Sequence, residues 1–207
     1  MKKIAGTLLI VATLISCGDT KTKAAENQPQ ERSAIENTSE VMASADYSTL
    51  LTEYSCDMDI DELAGVLGVS ASDLSLPDQA SPNGCTFELK GYGENPIGGQ
   101  TRLYWNTSKN SKEGNKKEIA TYLKNQEEMP ENISMGMGIE LAETKDCYIA
   151  FQPAHGRVII LNENYDNMFL LSYGTPRTLK TRTEEQHNEL RGKMTQLANY
   201  LLKKHKK

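Results

Sequence analysis

The sequence contains few of the residues and motifs that usually carry catalysis or cross a membrane. Its 207 residues include three histidines and one tryptophan, and aromatic residues make up 6% of the chain. It has no H-E-x-x-H, G-x-S-x-G, phosphate-binding-loop or paired C-x-x-C motif. Its one long, mostly apolar run, residues 4–15, is shorter than the about 20 residues that a membrane-spanning helix needs. These absences argue against the commonest hydrolase, metalloprotease and nucleotide-binding classes, and we predict no enzyme.

The apolar run at the start is typical of a secretory signal. Lys2 and Lys3 form a positive head before it, and it ends in the motif "LISC", formed by Leu14, Ile15, Ser16 and Cys17. This motif resembles the lipobox of bacterial lipoproteins, in which the cysteine is acylated and the peptide is cut before it. The resemblance implies a signal peptide over residues 1–16 and lipidation, with palmitate-type chains, at Cys17.

Lipidation at Cys17 would anchor the protein to a membrane without spanning it. Two or three acyl chains, each stabilised by about 0.8 kcal/mol per buried CH₂, hold a protein firmly. Gly18, rather than aspartate, follows the cysteine. In a bacterium with two membranes the resemblance therefore implies the outer membrane rather than the inner one, and in any host the cell envelope.

The charge is unevenly distributed. The whole chain has a net charge of −5, but residues 18–190 contain 15 Lys/Arg and 28 Asp/Glu, which gives −13, whereas residues 191–207 contain six Lys/Arg and no acid. An acidic body disfavours nucleic acid and anionic lipid as main partners. It favours a cationic partner or simply keeps the protein soluble.

The composition divides the chain after the signal into two parts. Residues 17–45 contain few large apolar side chains, so they predict a lipidated N-terminus followed by a disordered tether with a reach of roughly 30 Å. Residues 46–207 have the size and patterning of a single α+β domain. We expect three helices in it, and their positions follow from spacing and capping. The pattern places them at "DIDELAGVLGV" with Asp59 as N-cap, at "NKKEIATYLKNQEE" with Asn115 and Glu118 as a capping pair, and at the C-terminus after a capping box from Thr183 to Gln186. Before them, Tyr47, Leu50, Leu51 and Tyr54 recur at helical spacing.

The strands are predicted by alternating apolar residues. They are "CTFEL", "TRLYWN", "IELAETKDCYIAF", "RVIILNEN" and "MFLLSYG". The order α-ββ-α-βββ-α predicts an antiparallel sheet of about five strands with helices packed on it. Because "VIIL" is apolar at every position, we expect that strand to be central.

Three cysteines remain if Cys17 is acylated, and an oxidising compartment favours one disulfide. We predict Cys56–Cys85, which flank the acidic helix; Cys85–Cys147 is the alternative. The stretches "CDMDIDELAGVLG" and "NGCTFEL" are also similar to uncharacterised secreted lipoprotein domains of actinobacteria. Those domains pair a cysteine before a short acidic helix with another that opens a strand. The resemblance supports Cys56–Cys85 and implies no reaction.

The connection "KGYGENPIGGQ" is too long for a tight turn, and binding residues often lie on such loops. One hypothesis is a partner-contacting loop that uses Tyr92, Glu94 and Ile97, with Tyr92 and Ile97 as its exposed apolar groups. The alternative is a simple hairpin connection.

Other candidate sites are weaker. Cys147 and His155 are not spaced as a recognised nucleophile and base. The acids of "DMDIDE" do not fit a calcium-binding loop, because Glu62 and Gly68 occupy the places that need glycine and glutamate. Met129, Met135 and Met137 have thioethers that suit copper(I), but no histidine lies near them in sequence. We therefore predict no metal, no cofactor and no catalytic residue.

The predicted function is that of a lipid-anchored envelope protein with a non-enzymatic binding or interaction domain, whose partner is an envelope protein or a small ligand. The alternative is an acidic inhibitor or immunity-type lipoprotein that caps a basic toxin or hydrolase.

Overall fold

A computed structural model describes residues 45–79, 81–93, 101–129, 137–174 and 178–207. The predicted signal peptide, Cys17 and the tether up to residue 44 lie outside these ranges. Within them, no helix is long and apolar enough to cross a membrane.

The described residues form an α+β fold built on one antiparallel sheet of seven strands. The spatial order is β1-β2-β3-β7-β6-β5-β4, so β1 and β4 are the two edges. The strands are β1 (Leu74–Ser75), β2 (Cys85–Leu89), β3 (Thr101–Lys109), β4 (Gly138–Leu141), β5 (Tyr148–Gln152), β6 (Arg157–Leu161) and β7 (Asn167–Ser172). The β3–β7 pairing joins the two halves of the sheet.

Four α-helices belong to the described part of the chain, and they cover both faces of the sheet. They are α1 (Ser48–Leu51), α2 (Ile60–Leu67), α3 (Lys112–Glu128) and α4 (Glu184–His205). The helices α1, α2 and α4 pack on one face, which we call the α4 face, and α3 packs on the other, the α3 face. Short 3₁₀ helices lie at Ala71–Asp73, Pro153–His155 and Thr178–Thr181.

The main core lies between the α4 face and its helices. Alternate strand residues point into it, so that Phe87, Trp105, Phe169 and Leu171 are buried together, with the Phe87 and Trp105 rings stacked 5.5 Å apart. A smaller core on the α3 face contains Ile119 of α3 and strand residues of β4 to β6. The sheet is therefore covered twice, but the α3 face has only one helix among the described residues.

The caps of two predicted helices are confirmed. The side chain of Asp59 accepts a hydrogen bond from the Glu62 N–H at 2.8 Å, and α2 ends at Gly68 with φ of +62°. Thr183 and Gln186 form the predicted capping box of α4. One side of α4 is a buried apolar stripe that contains Leu190, Met194, Leu197 and Leu201.

The predicted cap of α3 is wrong. The N-cap is Ser111, four residues before Asn115, and its side chain accepts a hydrogen bond from the Gly114 N–H at 2.9 Å. Asn115 lies inside the helix and is fully buried. A serine followed by helix formers is the ordinary signal for a start, but the polar "SKEG" segment hides it because no apolar stripe accompanies it.

The expected five strands become seven. The segment "IELAETKDCYIAF" is a hairpin rather than one strand: β4 and β5 pair through Leu141 and Tyr148, and the turn between them places Lys145 at φ of +67°. The two-residue β1 is too short to produce a sequence pattern. The "VIIL" strand, β6, lies inside the sheet as predicted, although β7 occupies the middle position.

Cys56 and Cys85 form a disulfide with their Cα atoms 5.0 Å apart, as predicted. Cys147, the member of the alternative pairing, is a free and buried cysteine.

Candidate functional site

The loop predicted to contact a partner is described only at its beginning. Tyr92 is buried, and its hydroxyl donates to Glu189 of α4 at 2.5 Å. Its predicted exposure is therefore wrong: a tyrosine can bury its ring while its hydroxyl finds an acceptor. Glu94 and Ile97 lie outside the described residues.

The structure does not bring Cys147 and His155 together. Cys147 precedes β5, whereas His155 is exposed in the short helix that follows the other end of the same strand. Burial raises the pKa of the Cys147 thiol to about 12. Because the thiolate is the reactive form, a buried thiol with a raised pKa is a poor nucleophile.

The acids between residues 57 and 62 contact the basic C-terminus. Lys204 Nζ lies 2.8 Å from Glu62 Oε1 and 3.2 Å from Asp57 Oδ2. Asp59 is used as the helix cap. In the described part of the chain no group of three or more His, Cys, Asp or Glu side chains has the arrangement of a metal site. The same contacts show that Lys204 is partnered inside the fold.

A wide polar cleft of about 690 Å³ lies beside the disulfide at one end of the sheet. Two of its polar lining groups already bond within the fold: Thr107 Oγ1 donates to the Leu50 carbonyl at 3.2 Å, and Asn167 Nδ2 to the Leu51 carbonyl at 2.8 Å. Such groups would have to break bonds to bind a ligand. The cleft is lined by Thr52, Glu53, Tyr54, Ser55, Cys56, Pro82, Asn83, Gly84, Asn106, Thr107, Lys109 and Asn167.

A second cavity, of about 460 Å³, lies beside α3 and contains an isolated acid. Glu118 Oε2 is buried without a hydrogen-bond partner, and burial raises the pKa of this carboxyl group. The Tyr122 hydroxyl beside it accepts a hydrogen bond from Gln152 at 2.6 Å. Acid–base catalysis by paired carboxylates or histidine needs a second such group. None occurs among the described lining residues, which are Gly114, Lys117, Glu118, Thr121, Tyr122, Asn125, Met137 and Gln152.

A third cleft, which we call the β4–α4 cleft, runs along an edge of the sheet. It encloses about 430 Å³ between the edge strand β4 and one side of α4. Phe151 contributes an aromatic ring, and the Arg191 guanidinium lies over that ring at 5.8 Å from its centre. The lining residues are Gln126, Met137, Gly138, Ile139, Glu140, Phe151, Arg191, Gly192 and Thr195.

Gly192 makes the helical side of this cleft open. A Cβ atom built on Gly192 would meet no other atom within 4 Å. Thr195, one turn further along α4, is the next lining residue on that side. The cleft therefore has room for a side chain, and a larger residue at position 192 would occupy that room without entering the core.

Exposed apolar side chains are concentrated around the same edge. Among the described residues five large apolar side chains are more than a third exposed, and four of them lie on α3 or β4 or directly beside their ends. They are Leu123 (40%), Met129 (38%), Met137 (38%) and Leu141 (45%), whereas Leu76 (64%) follows β1 at the opposite edge.

The sequence patterns did not identify this edge, although two signals pointed to it. Leu123 is one of few large apolar residues in the mostly polar α3, and Met129 and Met137 flank a glycine-containing segment. The thioethers of these methionines suggest copper before they suggest a surface. Met135, the third methionine of that segment, lies outside the described residues. Neither signal shows that the flanking strand is an edge, because that depends on pairings distant in sequence.

Comparisons of this chain with known protein families, curated proteins and solved structures find no match. Its function is therefore inferred from the residues and their arrangement.

Proposed function

We propose that this chain is a lipid-anchored cell-envelope protein whose folded domain binds a partner and catalyses no reaction. The observation that carries the binding role is the open β4–α4 cleft beside four exposed apolar side chains. The anchor rests on the lipobox that ends at Cys17. Gly18 supports the outer membrane as its address if the host has two membranes.

Apolar side chains gathered around a cleft support an interaction role for physical reasons. Single exposed apolar residues are common on soluble proteins, but contiguous patches usually mark interaction sites. A tether with a reach of roughly 30 Å would let the domain meet a partner at a distance from the bilayer. An envelope protein or a small ligand fits this arrangement, and nucleic acid does not, because residues 18–190 are strongly acidic.

The anchor is tested by labelling with radioactive palmitate in the native host. The wild-type chain should incorporate the label and fractionate with membranes, whereas the Cys17→Ala variant should remain an unlabelled precursor. Label that persists in Cys17→Ala would rule out this anchor.

The binding role is tested in the same cells with a photo-crosslinking amino acid in place of Gly192. Gly65 of α2 is the matched control, since it is also a helical glycine whose Cβ would meet nothing within 4 Å. A discrete adduct from position 192, absent from position 65, is expected. Equal adducts from both positions, or none from either, would contradict a binding site at the β4–α4 cleft.

The acidic surface favours a second candidate, an inhibitor or immunity-type lipoprotein that caps a basic toxin or hydrolase. The net charge of −13 over residues 18–190 supports it. Binding governed by such a surface should weaken steeply as salt rises, whereas binding in an apolar cleft should change little. A salt series on the isolated complex separates the two candidates.

A further inference from the structure

We propose that β4 is an acceptor edge: an extended segment of the partner protein pairs with β4 as an additional strand, and its alternate side chains enter the β4–α4 cleft. The segment carries basic residues alternating with apolar ones. This inference rests on the proposed function, which supplies a partner, and it states how that partner is bound.

The backbone of β4 has groups that are free to accept a strand. The Ala142 N–H donates to the Cys147 carbonyl at 2.9 Å, and Glu140 is paired with Ile149 two residues along. Because bonded positions alternate in an antiparallel pair, Glu140 also faces β5, and the N–H and C=O groups of Ile139 and Leu141 point away from it. The Ile139 N–H is bonded to Gln126 Oε1. The Leu141 N–H has no partner among the described residues.

The surroundings of β4 suit a strand whose side chains alternate between two faces. On the α4 face a guest side chain meets the open side of the cleft at Gly192 and the ring of Phe151. On the α3 face the exposed apolar side chains of β4 and α3 are available, among them Leu141 and Met129. Main-chain bonds to an edge combined with pockets for alternate side chains are the means by which proteins bind extended peptides.

The other edge of the sheet does not offer a comparable site for an added strand. The strand β1 has two residues, Leu74 and Ser75, and very short edge strands are one way in which proteins prevent unwanted pairing. The longer β4 edge is protected, within the described part of the chain, only at Ile139, where Gln126 bonds the outward N–H. An incoming strand could use Leu141 directly and could replace Gln126 at Ile139.

Charge around β4 selects a basic segment over a second copy of this chain. Glu127 and Glu140 are exposed and have no ion-pair partner among the described residues, whereas Glu128 and Glu143 contact Lys124 and Lys203. Arg191 also lines the cleft, but its guanidinium lies over the Phe151 ring, so these two acids outnumber the one cation of the lining. If β4 paired with itself so that Ile139 faced Leu141 of the second copy, Glu140 would lie opposite Glu140. Like charges directly opposite destabilise a strand pair, and opposite charges stabilise it.

The test uses the full-length chain in non-ionic detergent and a fluorescent peptide as probe, acetyl-Lys-Val-Lys-Val-Lys-Val-Lys-amide. We expect saturable binding by anisotropy and about tenfold weaker binding of the peptide in which glutamate replaces each lysine. The Leu141→Pro variant removes the outward N–H without removing a bond to β5, so it should weaken binding about tenfold. Leu141→Ala is the control that keeps the N–H, and it should weaken binding less.

A second pair of variants tests the cleft. Gly192→Phe should weaken binding about tenfold by filling the cleft, whereas Gly65→Phe on α2 should leave it unchanged. In the free protein the Leu141 amide should exchange rapidly with solvent, and saturating peptide should slow its exchange by at least about tenfold. Circular dichroism melting of all four variants verifies that each remains folded.

Three results would overturn strand addition. One is peptide binding that neither Leu141→Pro nor Gly192→Phe reduces, and another is no binding at millimolar peptide. The third is a dimer of the free chain that Leu141→Pro dissociates, which would make a second copy the occupant. Each of these results is compatible with a partner crosslinked from position 192, so the proposed function would stand even if strand addition were wrong. The absence of a partner crosslinked from position 192 would instead contradict the proposed function.

Discussion

Asn115 is a fully buried polar residue that fixes the start of α3 to the sheet. Its Nδ2 lies within 3.0 Å of the carbonyl oxygens of Asn162, Tyr165 and Asn167, and its Oδ1 accepts from Asn110 at 2.7 Å. A buried amide is tolerated only when its hydrogen bonds are made. The side chain therefore closes the turn between β6 and β7 and sets where α3 crosses the α3 face.

A partly buried tyrosine hydroxyl stabilises the main core beside the disulfide. The Tyr54 hydroxyl accepts from Trp105 Nε1 at 2.8 Å and lies 3.2 Å from Cys85 Sγ. The apolar side chains of the core offer no acceptor to the indole N–H. The Tyr54 hydroxyl, near the end of α1, provides one. Nothing in the spacing of Tyr54 distinguishes this role from that of an ordinary apolar contact.

At the same scale, His205 should make stability depend on pH between neutrality and mild acid. Burial lowers its pKa below the usual value, although Asp57, 3.6 Å from Nε2, acts in the opposite direction. Glu62 also raises the pKa of His205, whereas Lys204 and Lys207 lower it. The unfolded chain therefore binds the proton more readily, so stability is full above a pH of about 6.5 and falls as the pH decreases below it.

This prediction is checked by thermal melting at pH 7.5 and pH 5.5. The melting temperature of the wild type should be lower at pH 5.5, and His205→Gln should show a smaller decrease. Glutamine keeps a group that can bond Thr49, the present partner of Nδ1 at 3.2 Å. His155→Gln, at an exposed position, is the control and should behave like the wild type. An equal decrease in His205→Gln and the wild type would contradict this role of His205.

At the scale of elements, helices with side-chain caps and an apolar stripe were predictable. The signals for α2 and α4 are local: Asp59 and Thr183 bond N–H groups three residues away. The β4–β5 hairpin was not predictable in the same way. Its turn contains no glycine or proline. Lys145 has the positive φ that a turn usually places at glycine.

The disulfide between Cys56 and Cys85 should be the largest single stabilising element near α2. It closes a loop with a sequence separation of 29 residues, and such a crosslink removes chain entropy worth roughly 3.5 kcal/mol from the unfolded state. The double variant Cys56→Ala/Cys85→Ala should lose about 2–4 kcal/mol of unfolding free energy in urea. Both cysteines are replaced together so that no new thiol is left behind.

Thiol counting checks the same disulfide independently. In the Cys17→Ala chain, denatured without reductant, one thiol should react, that of Cys147, and three should react after reduction. In the folded protein Cys147 should be unreactive at pH 8, because it is buried and its pKa is raised to about 12. Three reactive thiols before reduction would mean that the disulfide is absent.

At the scale of the whole molecule, the order of the strands was beyond local patterns. The pairing of β3 with β7 joins residues about sixty positions apart, and it decides that β1 and β4 become edges. The α+β class and the antiparallel sheet followed from the sequence of elements. The candidate cleft could not be predicted from the sequence of elements, because it forms between an edge strand and a helix that are separated along the chain.

The two ends of the described domain are held together at the C-terminus of α4. The backbone groups of Asp46 and Lys207 exchange hydrogen bonds, at 3.1 and 3.4 Å, and Lys206 lies 3.2 Å from Asp146. The basic run "KKHKK" thus compensates acids of the fold. A helix end of this charge also complements its own dipole, but the ion pairs explain why so many cations are gathered there.

Lys204 should contribute more to the stability of the fold than its neighbour Lys203. Lys204 and Glu62 are about three-quarters buried, whereas Lys203 and Glu143 are more than half exposed. Exposed ion pairs are worth little, and partly buried charged hydrogen bonds are worth more. We expect Lys204→Ala to lower the free energy of unfolding by about 1–2 kcal/mol and Lys203→Ala by less than about 0.5 kcal/mol at pH 7.

The pH dependence of this difference distinguishes an ion pair from lost packing. Burial opposes ionisation of Glu62, but the hydrogen bonds from Lys204 and Tyr200 outweigh it and lower its pKa below the usual 4.5. A carboxyl group with a lowered pKa stabilises the fold above that usual value, and the stabilisation is lost as the pH falls and the group is protonated. Urea unfolding at pH 7 and pH 3 should therefore show the gap between Lys204→Ala and the wild type closing in acid. A gap that is unchanged at pH 3 would assign the effect to the aliphatic stem of Lys204 rather than to its charge.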